Sequence, residues 1–479
     1  MCNSKAEGGQ RCGCDDSEKR RLRRHNSAAL TRNDQAKVTS PASSIIYPYS
    51  LPSFDHTPTV GAIQAEVDSI HKLREQWLNL ADKTSPEAQV FVDDMRQQAI
   101  VVGAMIVNRA ENVYGALTHQ QVEQETYKEL AKREAELLEE KSNCEEYRQK
   151  AKELEKELIS LTSDLDAYRR TKNQAESYRD MAAAAQDTYI ADAQKRLERE
   201  KQILMYRNRE QKFLQGQAYL QVVSEIRPLG GEVKILGGKE ALVQQLTKTV
   251  QKLPQDWIQQ ANTLNPLLVG TLPETGTAQT AYYVPEIKYL GRGKLWHSVQ
   301  DIKELNKELG VKLPLHKKLT TYAMIRAKEN LERINVADLS TDNREIVKRA
   351  KSINEDSNLM HEFLHRVEPT QQGLLLRMEE SFLEDRISHT GVRETRVTVG
   401  NNSNPVNSYY RDSFATQHAG TDYRKDSNDE PGSSKAWEIL SIGAEMTFGG
   451  RDDGFQASSM YAHNDDHYRD FIVGLWASI

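Results

Sequence analysis

Residues 357–369 read SNLMHEFLHRVEP, and this stretch decides what the C-terminal part of the chain is. His361 and His365 stand four residues apart, which on a helix places both imidazoles on one face, within reach of one ion. Glu362 directly follows the first histidine. A carboxylate there lies beside the ion and can take a proton from water that zinc has acidified. Local signals favour a helix: Asp356 or Ser357 as its cap, Pro369 beyond its end, and an apolar side of Leu359, Met360, Phe363, Leu364 and Val367. The alternative is an ordinary charged helix, and a third ligand separates the two readings.

The metzincin continuation supplies no such ligand, because Glu368 and Gln371 stand where its glycine and histidine belong. The stretch SSKAWEILSIGAEMTFGG (433–450) offers carboxylates instead. Ser433 or Ser434 can cap a helix there, with Glu438 and Glu445 two turns apart on one face among Trp437, Ile439, Leu440, Ile442, Met446 and Phe448. Carboxylates in such company need a metal or an imidazole if buried, and neither partner if both face solvent. His418, His463 and His467 are rival ligands, although HNDDHY (463–468) reads better as a polar loop before the last helix.

HEFLHRVE, RDSFATQHAGTDY (411–423), WEILSIGAEMTF and DDHYRDFIVGLWASI follow one another in an order that resembles the zincin-like metallopeptidase domain of phage head-morphogenesis, mobile-element and polymorphic-toxin-like proteins. The resemblance covers residues 310–479. It implies a gluzincin-type zinc centre with His361, His365 and Glu438 as ligands and Glu362 as general base. Glu445 would support that centre or compete for the ligand role. Tyr423 is a candidate donor to the developing oxyanion. The acid that thermolysin-type enzymes carry four residues after the ligand glutamate is here Ile442, so the partner of an imidazole must come from elsewhere.

Upstream, residues 116–215 contain neither Gly nor Pro and are dense in Glu, Lys, Gln, Arg and Ala. That is a helix signal. Leu137, Cys144, Tyr147, Ala151, Leu154, Leu158, Leu161, Leu165 and Tyr168 fall on a 3-4 seam broken at Glu140, as in a coiled coil. Unbroken, the rod would span about 150 Å. It could self-associate or fold back as an antiparallel hairpin, for which MAAAAQ (181–186) provides a small face. Residues 59–115 read as packed helices, with Ser85 as an N-cap and Pro86 at the first helical position.

Residues 228–309 are mixed, with a short strand EVKIL (232–236) between glycine pairs and a hairpin over 281–299. Helical patterns fill Val299–Val367. RVTVGNNSN (396–404) reads as a strand that could pair with an extended peptide. LPETG (272–276) matches a sortase signal but lacks the apolar span and basic tail such a signal requires, and reads as a loop.

Residues 1–58 are rich in Ser, Asn, Arg and Pro and read as a flexible arm. Its block Lys19–Arg24 reads as a solvated charge run rather than a nucleic-acid contact, and Cys2, Cys12 and Cys14 match no zinc-ribbon spacing. The net charge is only −6, the longest apolar run, AIVVGAMIV (99–107), is too short to cross a bilayer, and no secretion signal opens the chain.

The expected fold class is mostly α: a long coiled-coil helix (116–227) followed by a small α+β zincin-like C-terminal domain (310–479). The expected function is zinc-dependent peptide-bond hydrolysis, with water on the zinc as nucleophile and Glu362 as general base. The partners would be a peptide or protein substrate and a second copy through the coiled coil, with no membrane. The setting would be cytoplasmic, virion-associated or that of a delivered effector. The alternative is a structural or assembly protein whose C-terminal domain is zinc-stabilised and inactive.

Overall fold

The computed structural model describes residues 52–116, 145–157, 165–184, 191–271, 281–290, 294–295, 320–327, 340–389, 391–395, 397–398, 408–410, 419–422, 438–450 and 465–479, with Phe414 and a few positions between 132 and 142. The described chain is mostly helical.

Helices α1 (Val60–Asn79) and α2 (Pro86–Val113) open it. The Thr59 and Ser85 hydroxyls cap them by accepting the N–H groups of Ala62 and Ala88, and Pro86 occupies the first turn of α2 as expected. The AIVVGAMIV run lies within α2, where it is buried on nearly every side. Helix α3 (Leu165–Ala184) lies beside the helical residues 145–157: Arg179 pairs with Glu155, and Lys150 Nζ sits 6.0 Å from the ring centre of Tyr178. In one straight helix, residues 24 apart would be about 36 Å from each other, so the unbroken rod is replaced by a fold-back. Small residues line it, with Ala151, Thr171, Ala175 and Ala182 buried.

Helix α4 (Ala191–Ser224) leads into a five-stranded sheet. Its strands are β1 (Ile235–Gly238), β2 (Leu267–Thr271), β3 (Ala281–Leu290), β4 (Lys294–Leu295) and β5 (Thr320–Ala327), in the order β1-β2-β5-β3-β4. β1, β2 and β5 are parallel, and β3 runs antiparallel to β5 and to β4. Helices α5 (Glu240–Thr249) and α6 (Gln255–Ala261) separate β1 from β2. The hairpin expected over 281–299 is present as β3–β4. Pro285 falls where the β3–β5 register slips between Val284 and Ile287, a position that tolerates a missing N–H. β5 corrects the helical reading of 299–367: TTYAMIRA is buried from Tyr322 to Ala327 inside the sheet, where the alternation of a half-exposed strand is absent.

The motif sits on α7 (Thr341–Val367). The helix starts well before the expected cap, at Ser340, whose hydroxyl accepts the Asn343 N–H at 3.3 Å. Asp356 instead receives a hydrogen bond from the Gln245 side chain, and Ser357 is buried mid-helix. Helix α8 (Leu374–Ser388) follows, then a small sheet of β6 (Val397–Thr398), β7 (Ser408–Tyr409) and β8 (Thr421–Asp422), and finally α9 (Ile439–Thr447) and α10 (Asp466–Ser478).

α7 packs on β3, β5, α5 and α6, and also on α4 and α9. One hydrophobic core runs from Ile63 to Ile479, through α2, β2, β5, α7 and α10. The boundary expected at residue 310 therefore runs through the sheet and through this core: β1 to β4 precede it and β5 follows it. Among the described residues no helix is long and apolar enough to cross a membrane.

Candidate metal centre

His361 and His365 lie one turn apart near the C-terminal end of α7, with ring centres 4.8 Å apart and planes at 86°. Their Nε2 atoms face each other at 3.1 Å. Glu438 reaches the same point from the N-cap of α9: its Oε2 is 3.3 Å from His361 Nε2 and 3.7 Å from His365 Nε2. All three side chains are largely buried. Ligands about 2.0–2.1 Å from a tetrahedral zinc stand about 3.3 Å from one another. The observed triangle of 3.1, 3.3 and 3.7 Å has that size.

The other ring nitrogens face carboxylates. His365 Nδ1 is 3.0 Å from Glu368 Oε1, and His361 Nδ1 is 3.6 Å from Glu445 Oε1. At His365 the Glu368 carboxylate is within hydrogen-bond reach, so it holds the proton on Nδ1 and leaves Nε2 with its lone pair inward, whereas Glu445 stands just beyond that reach from His361 Nδ1. Burial, and then His361, lower the pKa of His365, which favours the neutral ring that a metal needs. Glu368 thus supplies the imidazole partner that the position of Ile442 denied. Its i+3 spacing from His365 is a helix-face signal that could have identified it.

Glu362 is also close: His361, Glu362 and His365 each offer an atom within 4.8 Å of the others, so this buried group can hold a metal ion. Glu438 Oε2 lies nearer to both imidazoles than that limit requires, and Glu362 has another tether. Its carboxylate accepts the backbone N–H of Tyr283 on β3. Burial raises its pKa, against a smaller opposing pull from His361 and His365. No protein-family model matches the chain, and neither a curated protein nor a solved structure matches it.

The structure revises several expectations. Glu438 is the N-cap residue of α9 rather than part of its body, and neither it nor Glu445 faces solvent, at 4% and 1% exposed. The strand beside the motif is β3, whereas Val397–Thr398 belongs to the separate small sheet. Tyr423, His418, His463, LPETG and the three N-terminal cysteines lie outside the described residues.

His467 is in the first turn of α10 rather than in a loop, buried and stacked on Phe382 at 5.3 Å, with Nδ1 3.4 Å from an Arg386 nitrogen. Arg386 is itself locked to Asp465 by two hydrogen bonds of 2.8 and 2.6 Å. Burial, then Arg386 and Arg96, lower the His467 pKa from 6.5 to about 3. Between those values the unfolded chain binds a proton that the native state refuses. Stability contributed by the neutral ring is therefore complete above pH 6.5 and lost as pH falls toward 3. The expected slope is about 1.4 kcal/mol per pH unit. His467→Phe should flatten this loss in urea unfolding at pH 7 and pH 5. An unchanged slope would show that His467 does not carry it.

Proposed function

We propose that this chain is a zinc-dependent peptidase of the gluzincin type, in which His361, His365 and Glu438 hold the ion and Glu362 is the general base. The reading is carried by the convergence of two Nε2 atoms and one carboxylate oxygen, at the spacing a tetrahedral ion requires. Zinc, when bound, supplies Lewis acidity to a carbonyl group and brings water toward neutral acidity. Glu362 accepts the proton of the attacking water on its carboxylate and delivers it to the departing amine nitrogen. Its burial and its bond from Tyr283 suit that work, since a buried carboxylate binds a proton more readily and a tethered one keeps its aim.

β3 runs antiparallel to its neighbour β5, and its Tyr283 N–H meets the motif glutamate. An extended substrate strand adding beside it would bring its carbonyl to Glu362. The resemblance to zincin-like domains of phage, mobile-element and toxin-like proteins agrees with this reading. The helices upstream of the sheet then act as a carrier.

Metal analysis tests the centre. The full chain, purified without chelator, should carry about one zinc, and His361→Ala should lose nearly all of it. A metal-free unmodified protein that also fails to take up added zinc would overturn the proposal.

A further inference from the structure

An N-cap side chain normally accepts a backbone N–H from the first turn of its helix. Thr59, Ser85, Ser340 and Asp465 do this in α1, α2, α7 and α10. Glu438 is the N-cap residue of α9, and its side chain makes no such bond. The carboxylate is turned to the imidazoles, with Oε2 also receiving the Ser441 hydroxyl at 3.2 Å. The first turn of α9 has an acceptor from outside the helix instead. It comes from α8: Glu379 Oε2 accepts the Leu440 N–H at 2.9 Å, across 61 residues of sequence.

Glu379 has no solvent exposure, and its Oε1 has no hydrogen-bond partner among the described residues. Glu368 and Glu438 are its charged neighbours, and both disfavour its ionised form. A buried carboxyl with one oxygen unsatisfied costs free energy that an apolar side chain of equal length would not. Its placement is explained by what Oε2 does.

We propose that Glu379 is a positioning residue for the third ligand: by taking the Leu440 N–H it frees Glu438 from capping and fixes the turn that aims Glu438 Oε2 at His361 and His365. This rests on the metal-centre reading above.

Zinc affinity of the full chain, measured by competition with a chromophoric chelator, tests it together with the visible spectrum of the cobalt-substituted protein. E379M has the same reach and no oxygen acceptor. It should weaken zinc by about tenfold to a hundredfold and alter the cobalt bands, while the metal-free protein unfolds at an unchanged or higher temperature. E379Q keeps an acceptor oxygen at the same reach and should restore affinity to within about threefold of the unmodified chain. If E379M does not fold, E379D, which draws the acceptor back by one methylene, is read in its place and should weaken zinc likewise. Unmodified affinity and an unchanged cobalt spectrum in E379M, or in E379D where it replaces it, would overturn the positioning role. So would an E379Q as weak as E379M. Failure of the unmodified chain to bind zinc would instead strike the metal-centre reading itself.

Discussion

Glu362→Gln is expected to keep its zinc and to lose about a thousandfold in kcat/KM on any peptide that the unmodified chain cleaves. Glutamine has the shape of glutamate, and its amide oxygen can still accept the Tyr283 N–H, so the motif helix and strand β3 keep their contact. What disappears is the ability to take a proton. The imidazole and Glu438 atoms that converge on one point are untouched, so metal content should match the unmodified protein. Measuring zinc and cleavage on the same preparations separates the outcomes. Cleavage that survives the substitution would remove Glu362 from the role of base. Zinc held by an unmodified chain that cuts no member of a broad peptide library would favour a zinc-stabilised, inactive domain.

Which parts of this centre could be read in the sequence follows from range. His361, Glu362 and His365 are local, and the four-residue period of a helix brings the histidines together wherever the helix lies. Glu438 and Glu445 stood out because carboxylates among so many apolar residues require a buried partner. Which of the two reaches both Nε2 atoms depends on where α9 begins, and Glu438 sits at that boundary. Glu379 gave no local sign, because its role depends on α8 lying against α9, a packing with no period along the chain. The fold divides the same way. Capping at Ser85 and the breaker-free helices are local properties, whereas TTYAMIRA becomes a strand only because β2 and β3 flank it. Likewise the absence of breakers marked helices, and the contact of Arg179 with Glu155 shows that one folds back beside another.

Gly103→Ala and Gly474→Ala should each destabilise the protein by about 3 kcal/mol, at the upper end of overpacking costs. Helices α2 and α10 cross there with their backbones touching. A Cβ on Gly103 would lie 1.7 Å from the Asp470 carbonyl oxygen, and one on Gly474 would lie 1.7 Å from that of Ala99. Neither obstacle is a side chain that can rotate away, so the helices must part. Parting them once relieves both clashes, so the double substitution should cost less than the sum of the singles in a denaturant-unfolding cycle. Gly61→Ala, with nothing within 4 Å of the new methyl group, should leave stability unchanged or slightly raised. Additive losses at Gly103 and Gly474 would mean that the two sites yield independently. The strain should also reach the metal centre. The Tyr468 hydroxyl on α10 donates to the Ile439 carbonyl at the start of α9, next to Glu438. A displaced α10 therefore pulls on the turn that carries the carboxylate ligand, and Gly474→Ala should weaken zinc even where most of the protein remains folded. Zinc affinity unchanged in a measurably destabilised Gly474→Ala would show that α9 holds its place without α10, leaving Glu379 and Ser441 as the restraints on Glu438.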